Sequence, residues 1–354
     1  MAEKVLLKGN EALAEAAILS GCKHYFGYPI TPQTEIAAYM AKRMPKVGGV
    51  FLQAESEIAA CNMVYGATAA GARAMTSSSS PGISLKAEAI SYIAGADLPA
   101  VVVNIVRAGP GLGGIQPAQS DYYQATKGLG HGDYKMIVLA PSSVQEIVNL
   151  TSLAFDLADI YRMPVMIMGD GTLGQMMEPV TLEVNSTRKI EEKTWATCGS
   201  EMKREHNVIN SLYIQPDVLE KIVVERSKKY KYIEENEVLS EEFMTDDAEF
   251  IITAYGSTAR IAKNAVLTLR EAGYKVGLIR PITLWPFPTE TYKKYIGKVK
   301  AILSVEMSLG QMVDDVKLAT EGKIPVHFYG RTGGNIPYPN EIIEAFKKIA
   351  GGVK

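Results

Sequence analysis

The chain has 354 residues, of which 47% are hydrophobic and 21% are charged, and its formal net charge is −2 at pH 7. This length is about twice that of a typical domain, so two domains, or one large domain with a smaller one, are expected. The near-balance of 37 basic and 39 acidic residues argues against a dedicated nucleic-acid-binding protein, which would be basic overall. No apolar segment approaches the roughly 20 residues that a bilayer span needs, so no membrane segment is expected.

The amino terminus and the cysteines predict a cytoplasmic protein. Residues Met1 to Lys4 include charged side chains and no long apolar segment follows them, so no signal peptide is predicted. The cysteines, Cys22, Cys61 and Cys198, are odd in number and widely spaced. This spacing excludes a disulfide framework, and it excludes a metal or iron–sulfur site built by this chain alone, because such a site needs clustered ligands.

Residues 1–175 are predicted to form one doubly wound α/β domain, because strands and helices alternate along them. Three apolar runs have the pattern of parallel strands buried on both faces: Pro99–Val106, Met136–Ala140 and Pro164–Met168. The other elements predicted here are a helix from Leu13 to Ser20, a short strand from His24, a helix starting at Thr31, a strand at Val50–Gln53, a helix from Glu57 to Gly71, a strand at Ala74–Thr76, a helix opening at Gly82 and a helix from Ser143 to Ile160.

Residues 176–246 differ in character from what precedes them. They are charged and irregular, with one long polar helical segment around Val218 to Asn236, and we interpret them as a linker or an excursion over a partner's surface. Residues 247–354 resume the alternation and predict a second, smaller α/β domain. Its predicted elements are strands at Phe250–Ala254, Val276–Ile279 and Ala301–Val305 and helices at Ile261–Glu271 and Glu341–Ile349.

Two segments place polar side chains where a strand gives way to a helix. Thr31 is predicted to cap a helix that has Pro32 at its first position, or to offer its hydroxyl to a ligand at the carboxyl edge of the sheet. Glu55 and Glu57 precede an alanine-rich helix. They are either ordinary first-turn acids or include a carboxyl group that shares a proton with a heterocyclic cofactor in a dry pocket.

Two further segments carry groups suited to an anion. The hydroxyl-rich segment Ser77–Ser80 offers side-chain and backbone donors, or it is a solvated loop with a good helix cap. Arg107 directly follows a buried strand and precedes the glycine-rich Ala108–Gly114. Its guanidinium either pairs with a carboxylate or lies on the surface beside a flexible turn.

Taken in order, these segments resemble one family. The motifs are Gly27-Tyr-Pro-Ile-Thr-Pro32, Gln53-Ala-Glu-Ser-Glu57, Met75-Thr-Ser-Ser-Ser-Ser-Pro-Gly82 and Arg107-Ala-Gly-Pro-Gly111. Together they resemble the alpha subunit of 2-oxoacid:ferredoxin oxidoreductases, and the resemblance covers nearly the whole chain, including Arg280–Pro288 and Val305–Gln311. The four serines followed by Gly82-Ile-Ser-Leu-Lys86 are most similar to the branched-chain type, which acts on 3-methyl-2-oxobutanoate (2-ketoisovalerate).

The resemblance implies a fold and a reaction. The fold is a thiamine diphosphate pyrimidine-type domain followed by a transketolase C-terminal-like domain. The reaction converts a 2-oxoacid, coenzyme A and oxidised ferredoxin into acyl-CoA, carbon dioxide and reduced ferredoxin. The implied partners are a beta subunit that holds the diphosphate and magnesium, further gamma and ferredoxin-like delta subunits, and ferredoxin, with the [4Fe–4S] clusters on the partner subunits. Neither nucleic acid nor membrane is an expected partner.

The resemblance also implies roles for individual residues. Glu57 matches the glutamate that hydrogen-bonds the pyrimidine N1′ of thiamine diphosphate and so promotes proton removal from the thiazolium C2, with Glu55 as the second choice. Pro29 and Ile30 would line the edge of the cofactor.

Two residues match groups that face the 2-oxoacid. Arg107 would pair with its carboxylate, and Thr31 would hydrogen-bond the carboxylate or the oxo group. The segment Ser77–Ser80 lines the substrate side or faces a partner. Gly169-Asp170-Gly171 is similar to the start of the diphosphate–magnesium motif, but no asparagine lies between residues 186 and 206 to close it, so we interpret it as a turn at the end of a strand.

Other functions stay open at this point. The same reaction on 2-oxoglutarate, pyruvate or an aryl pyruvate is one alternative. A 2-oxoglutarate enzyme needs a second cation for the distal carboxylate, for which Lys86 and Lys127 are the candidates. A non-catalytic assembly subunit is another alternative, although it would need neither Glu57 nor Arg107. A nucleotide-dependent dehydrogenase is disfavoured, because no Gly-x-Gly-x-x-Gly lies between a first strand and helix with an acid about 20 residues further on.

Overall fold

The computed structural model describes residues 4–184 and 188–352. Residues 1–3, on which the expectation of no signal peptide partly rests, lie outside the described residues, as do residues 353 and 354 at the end of the second predicted domain. The strands are β1 Lys4–Lys8, β2 His24–Gly27, β3 Val50–Gln53, β4 Ala74–Ser78, β5 Ala100–Val106, β6 Ile137–Leu139, β7 Pro164–Asp170, β8 Met177–Thr181, β9 Ser240–Phe243, β10 Phe250–Thr253, β11 Val276–Pro281, β12 Thr283–Trp285, β13 Ala301–Glu306 and β14 Val326–Gly330.

The helices alternate with these strands. They are α1 Gly9–Leu19, α2 Thr34–Arg43, α3 Glu57–Ala69, α4 Pro81–Gly95, α5 Tyr122–Lys127, α6 Val144–Tyr161, α7 Gly171–Gln175, α8 Pro216–Asn236, α9 Gly256–Glu271, α10 Thr289–Lys293, α11 Met312–Ala319 and α12 Pro339–Gly352, with a 3₁₀ turn at Met44–Val47. No helix in the described ranges is both long and apolar enough to cross a membrane.

The larger sheet has seven strands in the order β12-β6-β7-β5-β4-β2-β3. All of its neighbouring pairs are parallel except β12 with β6. Every residue of the valine-rich β5 is buried, as expected for a central parallel strand that is covered on both faces. Because β2, β4, β5 and β7 run the same way, the segments that follow Gly27, Ser78, Val106 and Asp170 emerge at one edge of the sheet.

The second sheet has the order β14-β13-β10-β11-β9, with β9 antiparallel to β11 and the other pairs parallel. A separate two-stranded sheet pairs β1 with β8. One edge strand of each sheet comes from a different part of the chain than its neighbours. In the larger sheet, β12 comes from beyond residue 247 and pairs with β6. In the smaller sheet, β9 comes from the charged stretch 176–246 and pairs with β11. The division of the chain at residues 175 and 246 stays a prediction.

The smaller sheet packs against the carboxyl edge of the larger one through Gln119. Its side-chain amide donates to the carbonyl oxygen of Tyr255 at 2.9 Å, and its Oε1 accepts from the hydroxyl of Thr258 at 2.8 Å and the backbone N–H of Met307 at 3.0 Å. Gln119 is 2% exposed, so these bonds are shielded from water. The two sheets are thus joined directly beside the edge where the motif segments emerge.

The helix after β2 begins later than the sequence predicts. The prediction that Thr31 caps it is wrong, because the N-cap position is Gln33, which makes no side-chain capping bond. The carbonyl of Thr31 accepts from Arg107 at 3.0 Å and that of Pro32 from Asn10 at 2.8 Å. These long-range bonds hold the segment in a turn outside α2 and leave Thr31 exposed.

Candidate active site

Glu57 is the first residue of α3, just beyond the carboxyl end of β3. Ser56 caps this helix by accepting from the N–H of Ala59 at 3.2 Å. Glu57 is only 6% exposed, whereas Glu55, two residues earlier in the connecting loop, is exposed. The helix N-terminus favours a negative charge at this position, so Glu57 is the acid that the fold buries and supports.

The Glu57 carboxyl group lies against the first turn of α4. A Cβ placed on Gly82 would lie 2.7 Å from Glu57 Oε1 and 2.0 Å from Ser78 Oγ. A side chain at this position would have to displace both groups, so glycine allows α4 to approach the acid closely. Glu57, Ser78 and Gly82 therefore converge on one point at the edge of the sheet.

The serine segment is not a solvated loop. Ser77 and Ser78 belong to the buried β4, and α4 begins at Pro81, one residue before the predicted start. Ser77 donates to Gln33 at 2.6 Å and bonds the hydroxyl of Tyr25 at 2.6 Å, which ties β4 to β2 and to the turn before α2.

Ser80 joins this segment to the next strand. Its hydroxyl donates to Asp121 at 2.7 Å and accepts from the backbone N–H of Arg107 at 3.0 Å. Its φ of 31° lies in the left-handed region, which a serine adopts only when its surroundings hold it there. Asn104 of β5 is part of that support, since it accepts from the Ser80 N–H at 3.1 Å and donates to Asp121 at 2.9 Å. Burial raises the pKa of Asp121.

Ser78 and Ser79 differ from their neighbours. Both are fully buried, and within the part of the chain that the structure describes their hydroxyls have no hydrogen-bond partner. A buried hydroxyl left unpaired costs about 1–3 kcal/mol, so such groups are rare unless a ligand or water completes them. The Ser78 hydroxyl lies beside the Glu57 carboxyl group at Gly82, where a bound polar molecule would meet it.

Arg107 lies at the end of β5 and is 6% exposed. It donates through Nη1 to the carbonyl oxygen of Thr31 at 3.0 Å and through Nη2 to that of Leu112 at 3.1 Å. Its Nε is buried and, among the described residues, has no partner. The fold therefore brings together the two predicted substrate residues, through the Thr31 carbonyl group rather than its hydroxyl.

The other predicted residues occupy different positions at this edge. Pro29 is exposed and Ile30 is partly buried, both in the turn between β2 and α2. Asp170 is the last residue of β7 and caps α7 by accepting from the N–H groups of Thr172 and Leu173 at 2.9 and 3.1 Å. It also accepts from the Ser257 hydroxyl at 2.5 Å, and burial raises its pKa.

Sequence reasoning missed three buried polar residues that shape this edge. Asn104 was detectable, because it is the single polar residue inside the apolar run of β5. Gln119 and Asp121 lie in an irregular segment with no periodic pattern, so only their tertiary contacts reveal them.

A parallel sheet with a buried acid at a helix N-terminus, beside a serine-rich segment and a buried arginine, defines a cofactor-binding α/β domain at whose carboxyl edge the ligand binds. Residues 15–244 match the family "Pyruvate flavodoxin/ferredoxin oxidoreductase, thiamine diP-bdg", and residues 248–342 match "Pyruvate:ferredoxin oxidoreductase core domain II". The chain belongs to this oxidoreductase family and contains its thiamine diphosphate-binding domain. The predicted fold class and family are confirmed.

Individual relatives match over the full length. The chain is 50% identical over 346 residues to ketoisovalerate oxidoreductase subunit VorB of Methanothermobacter marburgensis, covering 98% of each chain. It is 38% identical over 370 residues to 2-oxoglutarate synthase subunit KorA of Methanocaldococcus jannaschii, covering 96% of this chain and 98% of that one. Both relatives are subunits of larger enzymes.

The fold also matches a solved structure, a 2-oxoglutarate:ferredoxin oxidoreductase from Magnetococcus marinus with 2-oxoglutarate, coenzyme A and succinyl-CoA bound. The TM-score is 0.90 at 27% identity, and the match covers 98% of this chain and 65% of that chain. This chain thus corresponds to about two thirds of the longer protein.

Proposed function

We propose that this chain is the cytoplasmic alpha subunit of a thiamine diphosphate-dependent 2-oxoacid:ferredoxin oxidoreductase that acts on a branched-chain 2-oxoacid. With coenzyme A and oxidised ferredoxin, the assembled enzyme forms acyl-CoA, carbon dioxide and reduced ferredoxin. The observation that carries this proposal is the burial of Glu57 at the start of α3, with its carboxyl group packed closely against Gly82. The family match and the 50% identity to a ketoisovalerate oxidoreductase subunit support it.

The residues present fit the pyrimidine half of thiamine diphosphate. The ring nitrogen needs a carboxyl group, which Glu57 supplies beside Gly82, where a larger residue would displace it. The unpartnered hydroxyls of Ser78 and Ser79 offer further bonds to a polar ring. When bound, thiamine diphosphate supplies the nucleophilic carbon and the electron sink for decarboxylation.

Glu57 then acts as the proton-holding group. It would hydrogen-bond the pyrimidine N1′ and hold a proton at that nitrogen, in a site whose burial excludes competing water. Pro29 and Ile30, in the turn that follows β2, line the edge of the cofactor.

Arg107 and Thr31 bind the 2-oxoacid. A carboxylate is the planar anion that a guanidinium recognises, and the free Nε of Arg107 leaves donor capacity for it. Since Arg107 is buried, water screens this pairing weakly. The exposed Thr31 side chain, on the turn that Arg107 holds, hydrogen-bonds the carboxylate or the oxo group.

The acyl chain is apolar and branched in this proposal rather than acidic. A 2-oxoglutarate enzyme needs a second cation, but Lys86 is fully buried and donates to Thr76 at 2.8 Å, while Lys127 forms an ion pair with Asp315. The lower identity to the 2-oxoglutarate synthase subunit, 38%, agrees with this choice. A panel of 2-oxoacids that includes pyruvate and an aryl pyruvate separates the remaining substrates.

The partner subunits complete the site. We assign the diphosphate and magnesium to a beta subunit, and the [4Fe–4S] clusters to the beta subunit and a ferredoxin-like delta subunit, with a gamma subunit completing the complex. Asp170 supports this division, because its carboxylate already caps α7 and accepts from Ser257.

The test is activity in the assembled complex, followed as coenzyme A-dependent dye reduction. Glu57→Gln keeps the shape of the side chain and should leave assembly intact while reducing kcat by about 100-fold or more. Near-normal turnover in this variant would refute the role of Glu57 and would favour an assembly subunit.

Arg107→Ala tests the substrate contact separately. We expect its main effect on the KM for the 2-oxoacid, because the variant loses the cation that pairs with the substrate carboxylate. An unchanged KM would count against the assignment of Arg107.

A further inference from the structure

Lys86 is a buried cation that the proposed chemistry does not use. It lies in α4, is fully buried, and donates to the hydroxyl of Thr76 at 2.8 Å and, at 3.5 Å, to the backbone carbonyl of Glu57. Burial lowers its pKa to about 8, although Cys61 and Glu57 act in the opposite direction. It forms no ion pair with any carboxylate of residues 4–184 or 188–352.

Stability alone does not account for this lysine. A buried ammonium without a paired carboxylate is costly, and an apolar side chain of similar length, such as methionine, would fill the space without that cost. The Lys86 charge lies next to Glu57, the residue that we propose binds the cofactor. Lys86 therefore has features of a functional group rather than of packing.

The titratable groups around Lys86 point to Glu57. In the part of the chain that the structure describes, Glu57 and Cys61, both on α3, are the groups that act on the Lys86 charge. Burial raises the pKa of Cys61 to about 11, so its thiol is neutral at physiological pH. Tyr134, near Cys61, is likewise kept neutral because burial raises its pKa. The carboxyl group of Glu57 is the partner that Lys86 can influence.

We propose that Lys86 is a positioning residue for Glu57, an inference that rests on the proposed role of Glu57. Its ammonium donates to the Glu57 carbonyl group at the start of α3, so it holds the first turn of this helix in place and puts a positive charge beside it. Glu57 is already at a helix N-terminus, which favours a negative charge, and the cation of α4 adds to that field.

The experiment compares wild type, Lys86→Met and Glu57→Gln in the assembled complex. The first measurement is the pH profile of kcat/KM. The second is the number of protons taken up when thiamine diphosphate binds, measured by calorimetry in buffers of different ionisation enthalpy, which needs no turnover. Lys229→Met is the control, because Lys229 is a partly buried lysine that bonds Asp97 beyond the far end of α4.

For Lys86→Met, the acidic limb of the pH profile should move to higher pH by about 0.5 to 1 unit, because the variant loses a positive charge beside the start of α3. The number of protons taken up on cofactor binding near neutral pH should also differ from that of wild type, since a positive charge beside the start of α3 has been removed. Lys229→Met should match wild type in both measurements.

Two results overturn the inference in different ways. If Lys86→Met matches wild type in both measurements while Glu57→Gln loses turnover, Lys86 is only a packing residue and the role of Glu57 stands. If Glu57→Gln keeps its turnover, the proposed function fails and the role of Lys86 falls with it. Lys86→Gln, judged by the same two measurements, replaces Lys86→Met if that variant does not assemble.

Discussion

Replacing Lys86 by methionine should change how the stability of the chain depends on pH. The pKa of Lys86 is lowered from 10.5 to about 8 by burial, so between these pH values the unfolded chain binds more protons than the folded chain. Below about pH 8 the lysine is charged in both states, and the buried charge lowers the free energy of unfolding by its full amount. As pH increases from about 8 to about 10.5, the folded chain loses this charge first, so the free energy of unfolding rises. Lys86→Met removes that cost and its pH dependence.

The size of the effect follows from the two pKa values. The difference in unfolding free energy, variant minus wild type, should decrease by about 2 kcal/mol between about pH 7 and about pH 9.5. The loss of the bond to Thr76 lowers the variant by about 1 kcal/mol at both pH values and cancels from this comparison.

The assay is urea unfolding of the full chain, followed by the fluorescence of its two tryptophans. Trp285 is 7% exposed and lies in β12, at the edge of the large sheet, so it reports on the body that contains Lys86. Lys221→Met, which changes an exposed lysine of α8, should show no such pH dependence. An equally flat difference for Lys86→Met would refute the conclusion that Lys86 is buried in its charged form.

Two further substitutions test the site and its support. Gly82→Ala should weaken thiamine diphosphate binding by roughly tenfold or more, because the new Cβ meets Glu57 Oε1 and Ser78 Oγ, whereas Gly66→Ala, with open space around it, should bind normally in the same titration. Glu306→Gln should lower the unfolding free energy by about 2–4 kcal/mol in urea, because this buried carboxylate accepts from three backbone N–H groups at 2.9–3.0 Å at the start of α11; a change below about 0.5 kcal/mol would contradict this.

The sequence predicts the central strands well, because strands buried on both faces consist of continuous apolar residues. The prediction of Val50–Gln53 agrees with β3, and that of Pro99–Val106 differs from β5 by one residue. Buried parallel strands need continuous apolar runs, which a single sequence displays. Short edge strands such as β8 and β9 are mostly exposed or partly buried, so they carry no such pattern and were missed.

The candidate site divides in the same way. The order of the motifs and the identity of Glu57 and Arg107 as candidates come from the sequence, because strand ends and helix starts are locally marked. The turn at Thr31 could not be predicted from the sequence. The hydrogen bond from Arg107 to the Thr31 carbonyl group joins residues 76 positions apart, and it overrides the local capping signal.

What the sequence by itself determined is the class of protein: an α/β chain with its polar motifs at the carboxyl ends of parallel strands. Only the tertiary structure decided which polar groups are buried and which lack partners, including the unpaired hydroxyls of Ser78 and Ser79 and the ammonium of Lys86 beneath Glu57. The physical reason is that desolvation and hydrogen bonding depend on neighbours distant in the chain, and local sequence patterns do not record those neighbours.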